Sequence, residues 1–213
     1  MDLDAAEVRV LGCLVEKQRT TPDVYPLSLN SLRAACNQAT NRDPVVSYDD
    51  DQIRDALHRL ARRRWTRMAS GARAAKYRHL LDETLQMPRD EQAVLAVLAL
   101  RGSQTPGELR QRVERLQSFA DHAAFQAALD RLIGKDLAVR LERRPGQKEE
   151  RYAHRLSEDL DEEPPLAPAA APAPSPPAPS APPQDDRIDR LERELTALRA
   201  QVAELRTELG LDP

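Results

Sequence analysis

Apolar positions recur with a helical period through most of the first 157 residues, and the blocks they form come in two similar sets. The first set predicts a helix over residues 4–18, a second opening after Ser28 as N-cap, and a third opening after Ser47. The third carries Asp49, Asp50 and Asp51 in its first turn, where the helix dipole favours anions. Ile53, Leu57, Leu60 and Ala61 fall on one of its faces. WTRMA (65–69) and AKYRHL (75–80), with Ser70-Gly71 between them, read as a two-stranded hairpin with Trp65 as its anchor on the core.

The second set opens near Arg89 with EQAVLAVLALRG. Its second helix starts at TPGEL, where Thr105 at the N-cap, Pro106 at N1 and Glu108 at N3 make a capping box. A third helix is expected over residues 121–135. The hairpin LAVRLERRPGQKEERYAHRL then turns at Pro145-Gly146. Ala56-Leu57-x-Arg59-Leu60 matches Ala128-Leu129-x-Arg131-Leu132 at an offset of 72, and KYRHL echoes RYAHRL. Three helices followed by a two-stranded wing describe a winged helix. The expected fold class is therefore mainly α with small β wings: two tandem winged-helix domains, over residues 1–86 and 87–157.

Beyond them the pattern changes twice. Residues 158–186 are acidic and then rich in Pro and Ala; PPLAPAAAPAPSPPAPSAPP holds ten prolines in twenty residues. Such a stretch cannot build a core and reads as an extended linker. Over residues 187–211 the apolar positions are Ile188, Leu191, Leu195, Leu198, Val202, Leu205 and Leu209, spaced three and four apart. That is the seam of a coiled-coil helix and predicts self-association, although a lone amphipathic helix docking on another surface has the same pattern.

Charge adds to this picture. The whole chain carries −3, but residues 1–157 hold 27 basic against 22 acidic side chains, and residues 158–213 hold 5 against 13. A mildly basic body with an acidic tail makes double-stranded DNA a candidate partner of the body. Aromatics are only 3% of the chain, which argues against folds that stack single-stranded bases. Between Arg54 and Arg78 there are nine basic residues and one acid, Asp55. Arg62, Arg63, Arg64, Arg73, Lys76 and Arg78 are the candidate phosphate contacts of the first wing, and Arg143, Arg144 and Lys148 those of the second. The acidic start of the third helix opposes groove entry there. That conflict keeps a protein–protein adaptor without DNA affinity as the alternative.

One loop is unusually polar. ACNQATNRDP (35–44) joins the second and third helices of the first set. Asn37, Gln38, Asn41 and Arg42 could form an exposed patch that contacts nucleic acid or protein. The loop also has a local reading, in which Asn37 ends a helix, Asn41 and Asp43 turn the chain through their own backbone hydrogen bonds and Pro44 keeps it extended before the third helix.

Chemistry beyond binding finds little support. Cys13 and Cys36 sit at core positions, the four histidines lack ligand spacing, and no glycine-rich phosphate loop occurs. Neither an enzyme activity, a metal nor a cofactor is expected. No apolar run is long enough to span a membrane, and MDLDAAEVRV is not a secretion signal, so the expected location is the cytoplasm.

VRVLGCLVEKQRTTPDVYPLSLNSLRAACNQATNRDPV (8–46) and LRGSQTPGELRQRV (100–113) resemble the YceH family of bacterial proteins, a domain of unknown function (UPF0502, DUF480). The resemblance covers residues 3–156. It implies a tandem winged-helix fold in a bacterial cytoplasmic protein, and no activity. The Pro-rich linker departs from the family pattern, whereas a coiled-coil C-terminus agrees with it. The loop at 35–46 belongs to the family's characteristic sequence.

Overall fold

The computed structural model describes residues 2–69, 75–143 and 149–157. Linker residues 158–186 and the seam residues Ile188, Leu191, Leu195, Leu198, Val202, Leu205 and Leu209 lie outside them. So do the wing-tip residues Arg73, Arg144 and Lys148.

The described chain is mainly helical with small antiparallel sheets, a winged-helix-like architecture. The first set contains α1 (Ala5–Thr20), β1 (Leu27–Ser28), α2 (Leu29–Cys36), α3 (Asp50–Arg62), β2 (Thr66–Ala69) and β3 (Lys76–His79). A short helix, α4 (Leu81–Leu85), leads into the second set. That set contains α5 (Arg89–Arg101), α6 (Pro106–Val113), α7 (His122–Gly134), β4 (Ala138–Leu141) and β5 (Arg151–His154).

Side chains that accept from otherwise orphaned backbone N–H groups start the helices. Asp4 and Glu7 form a capping box on α1, Asp49 and Gln52 on α3, and Thr105 and Glu108 on α6. Ser28 caps α2 and Asp121 caps α7. Asp49 rather than Ser47 therefore marks the start of α3. Its carboxylate can accept from Gln52 N while Gln52 reaches back, a reciprocal pair that Ser47 cannot form from its position.

The first sheet is not the two-stranded hairpin expected from the sequence. It has three strands in the order β1-β3-β2, with Leu27 opposite Tyr77 on one side of β3 and Thr66 opposite His79 on the other. The second sheet, β4-β5, receives a single bridge from Gln104, whose backbone exchanges both hydrogen bonds with Tyr152. Gln104 thus does for β5 what β1 does for β3.

The two sets share one core. α1 and α5 are its centre: both are buried around nearly their whole circumference and pack on each other. Close approach is possible because Gly12 faces α5. A Cβ there would stand 2.9 Å from Leu100 Cγ. Leu3 N also donates to Leu156 O, which ties the start of the first set to the end of the second. Residue 86 is thus the end of one set of elements but no break in the packing.

Candidate nucleic-acid interface

The helices and strands place the basic residues of the first set along one run, from the end of α3 through β2 to β3. Arg62 closes α3 and Arg63 caps it. Arg64 follows with φ of 59°, a left-handed turn that swings the chain into β2. All three are exposed. Arg63 Nη2 donates to the backbone carbonyl of Asp2 at 2.6 Å, and Arg59, Arg62 and Arg63 line one surface hollow.

Strand register sets the rest. Thr66 and His79 face each other on the inner side of the sheet and are buried. The intervening pair, Arg67 opposite Arg78, therefore points outward, as does Lys76 opposite Ala69. Two cations directly across an antiparallel pair repel each other. Arg78 is relieved by Glu83 at 2.7 Å. Among the described residues no carboxylate lies within ion-pair distance of Arg62, Arg63, Arg64, Arg67 or Lys76. Arg67 was visible in the sequence only as one of nine basic residues; the strand register singles it out.

The second set distributes charge differently. Arg131 bonds Glu91 at 2.7 Å and Asp90 at 2.5 Å, and Lys135 bonds Glu91 at 2.6 Å. Arg140 pairs with Glu150 at 2.5 Å, and Arg155 pairs with Asp136. Arg143 lies exposed beyond β4. Among the described residues, Arg131, Lys135, Arg140 and Arg155 are thus already compensated within the protein.

The acidic start of α3 is also compensated in part. Asp49 is consumed as the N-cap. Asp50 receives Arg33 at 2.8 Å and Arg54 at 3.6 Å, and Asp51 receives Arg54 at 2.5 Å. Asp55 has no ion pair among the described residues.

The loop side chains Asn37, Gln38, Asn41 and Arg42 have partners within the protein: Arg42 is buried, and Asn37, Gln38 and Asn41 are half-buried. Glu16, one turn before the end of α1, holds Arg42 with two hydrogen bonds, at 2.5 and 3.2 Å. Arg42 also donates to the carbonyls of Ala35 and Asn41 and to Gln38 Oε1. Asn37 makes a double hydrogen bond with the backbone of Tyr48, 2.8 Å each way, which fixes the chain entering α3. Asn41, in a left-handed conformation, accepts from Arg101 at 3.0 Å. Burial would raise the pKa of Glu16, but the hydrogen bond and charge of Arg42, joined by the charge of Arg115, take it below the usual carboxylate range. The partners of Glu16 lie 26 and 99 residues away in sequence, so no local pattern could reveal the pair.

Cys13 and Cys36 are buried free thiols in the core. Among the described residues no group of His, Cys, Asp and Glu is placed to hold a metal ion, and no helix is long and apolar enough to cross a membrane.

Residues 3–147 match the family model described as "Protein of unknown function, DUF480". A UPF0502 protein of Azotobacter vinelandii is 47% identical over 161 residues, 75% of this chain and 72% of its own. One from Geobacter metallireducens is 50% identical over 158 residues, 73% and 72% of the two chains. A third, from Azoarcus sp., is 46% identical over 211 residues, covering 96% of this chain and 90% of its own.

Proposed function

The chain belongs to the DUF480 family, and from that premise we propose that it is a DNA-binding regulator or accessory factor. Its two element sets act as tandem winged-helix modules, and the heptads of residues 187–211 pair two copies. The first module grips duplex phosphates through Arg62, Arg63 and Arg64 at the end of α3 and through Arg67, Lys76 and Arg78 on the outer face of its wing. One observation carries this reading. Arg67 stands opposite Arg78 and, among the described residues, has no carboxylate of its own, an arrangement that costs the sheet stability and that a row of phosphates would relieve. The second wing, with Arg140 already paired, contributes less. Because the acids of α3 hold the groove-facing end of the helix away from phosphates, binding depends little on base sequence.

The test neutralises the wing. Arg67→Gln, Lys76→Gln and Arg78→Gln together should weaken every duplex by a similar factor, and should reduce the slope of log affinity against log salt by roughly 3. Unchanged affinity, or loss on some sequences only, contradicts the assignment. A second reading, a protein–protein adaptor, is favoured by the apolar side chains of Val45 and Met68, which are 60% and 59% exposed beside these elements. It predicts a protein complex that persists as salt rises and no affinity for duplex.

A further inference from the structure

The loop after α2 also forms one wall of a cavity. Asn41 faces Arg101 at the end of α5, Arg112 on α6 and Arg115 just beyond it, over an apolar floor of Val97 and Leu100. The cavity holds about 320 Å³, the small end of the range for small-molecule sites.

Its charge is unbalanced. Arg115 shares Glu16, whose carboxylate is already held by both terminal nitrogens of Arg42. Arg112 donates to Gln104 at 2.7 Å and stands 3.7 Å from Glu108, its partner one turn back. Arg101 donates to Asn41 and, among the described residues, forms no ion pair. Burial lowers the pKa of Arg101, and the charges of Arg112, Arg115 and Arg42 lower it further, against an opposing contribution from Asp43. Three guanidinium groups are thus gathered around one hollow that holds too little negative charge for them. Convergent planar forks of this kind match the oxygens of a phosphate group.

We propose that the cavity lined by Asn41, Arg101, Arg112 and Arg115 binds a small phosphorylated metabolite, its phosphate held by the arginines and its carbon skeleton against Val97 and Leu100. The site is separate from the basic wing and does not depend on the DNA reading. Its walls come from both element sets, Asn41 from the first and the arginines from the second, so an occupied site would strengthen the joint between them.

Inorganic phosphate is the probe. The full chain is titrated with it at constant ionic strength, with sodium chloride as the compensating salt, and thermal unfolding is followed. Specific binding gives a saturable rise in Tm. General exclusion of phosphate from protein surfaces gives a rise that does not saturate. Arg101→Gln with Arg112→Gln should weaken the apparent affinity about tenfold or more, and Arg101→Lys, which keeps the charge but not the fork, should fall between. The wing variant at Arg67, Lys76 and Arg78 should respond as the wild type does. If the double variant does not fold, the wild-type titration and Arg101→Lys decide. A wild-type response that is absent or does not saturate overturns the proposal, as does a response equal in all variants.

Discussion

At the residue scale, Glu16 shows how a polar loop becomes part of a core. A buried carboxylate is tolerated when its oxygens are fully used, and Arg42 and Arg115 use them. Glu16→Gln leaves Arg42 buried without a counter-charge and should cost about 3–5 kcal/mol in urea unfolding. Arg115→Gln, on the more exposed arm of the same network, should cost under about 1 kcal/mol. Equal losses would mean that the pair with Arg42 is not the centre of the network. His79 sets a pH dependence. Burial, together with Arg19 and Arg78, lowers its pKa to about 4, despite Asp82 and Glu83. Its ring is held neutral, with Nε2 bonded to Gln18 Oε1 and Nδ1 accepting from Leu81 N. The unfolded chain, with an ordinary His pKa near 6.5, binds the extra proton first as pH falls. Stability is therefore fully present above about pH 6.5 and declines towards pH 4, by up to roughly 3 kcal/mol from this group. His79→Gln should flatten the Tm–pH curve in that window; an unchanged slope would show that other groups carry it.

At the element scale, the two sets repeat an ion pair as well as a fold. Arg59 on α3 bonds Asp4 and stands 3.4 Å from Glu7 at the start of α1, and Arg131 on α7, its counterpart in the repeat, bonds Asp90 and Glu91 at the start of α5. In the sequence the capping boxes of α1 and α3 pass unread, and α3 is expected to open after Ser47. The Thr105–Glu108 capping box and the buried face of α3 were legible because each is a local pattern along one helix, and the repeat because its two copies match in sequence. The third strand was not. Leu27–Ser28 is only two residues long, and its partner Tyr77 lies fifty residues away. The short α4 was missed for a similar reason: five residues with no side-chain cap give no periodic signal. Packing between the sets was equally invisible, although a glycine inside a helical pattern was the clue. Gly12→Ala gains up to about 1 kcal/mol of helix propensity but drives a methyl into Leu100, an overpacking cost of about 1–3 kcal/mol. We expect net destabilisation, read as a lower Tm. A raised Tm would mean that α1 and α5 are not held at this separation.

At the scale of the whole molecule, net charge conceals an uneven distribution. The basic body and acidic tail cancel in the total, and among the described residues the structure separates the ion-paired Arg131, Lys135 and Arg140 of the second set from Arg62, Arg63, Arg64, Arg67 and Lys76 of the first, which form no ion pair. That separation depends on tertiary contacts, so the sequence could nominate Arg62, Arg63 and Arg64 and the wing together, but could not rank Arg67 above Arg140. The polar loop shows the opposite case. Its sequence left an outward patch and a local structural role both open, and the structure adds long-range contacts to Glu16 and Arg101 that neither reading contained. The most direct measurement is fluorescence anisotropy of a labelled random duplex titrated with the full chain at salt from about 50 to 200 mM, for the wild type and the Arg67, Lys76 and Arg78 variant. The account predicts wild-type affinity that falls steeply with salt, and a variant that binds more weakly with a shallower slope. Wild-type protein that fails to bind at the lowest salt, or a variant with the same slope, would contradict it.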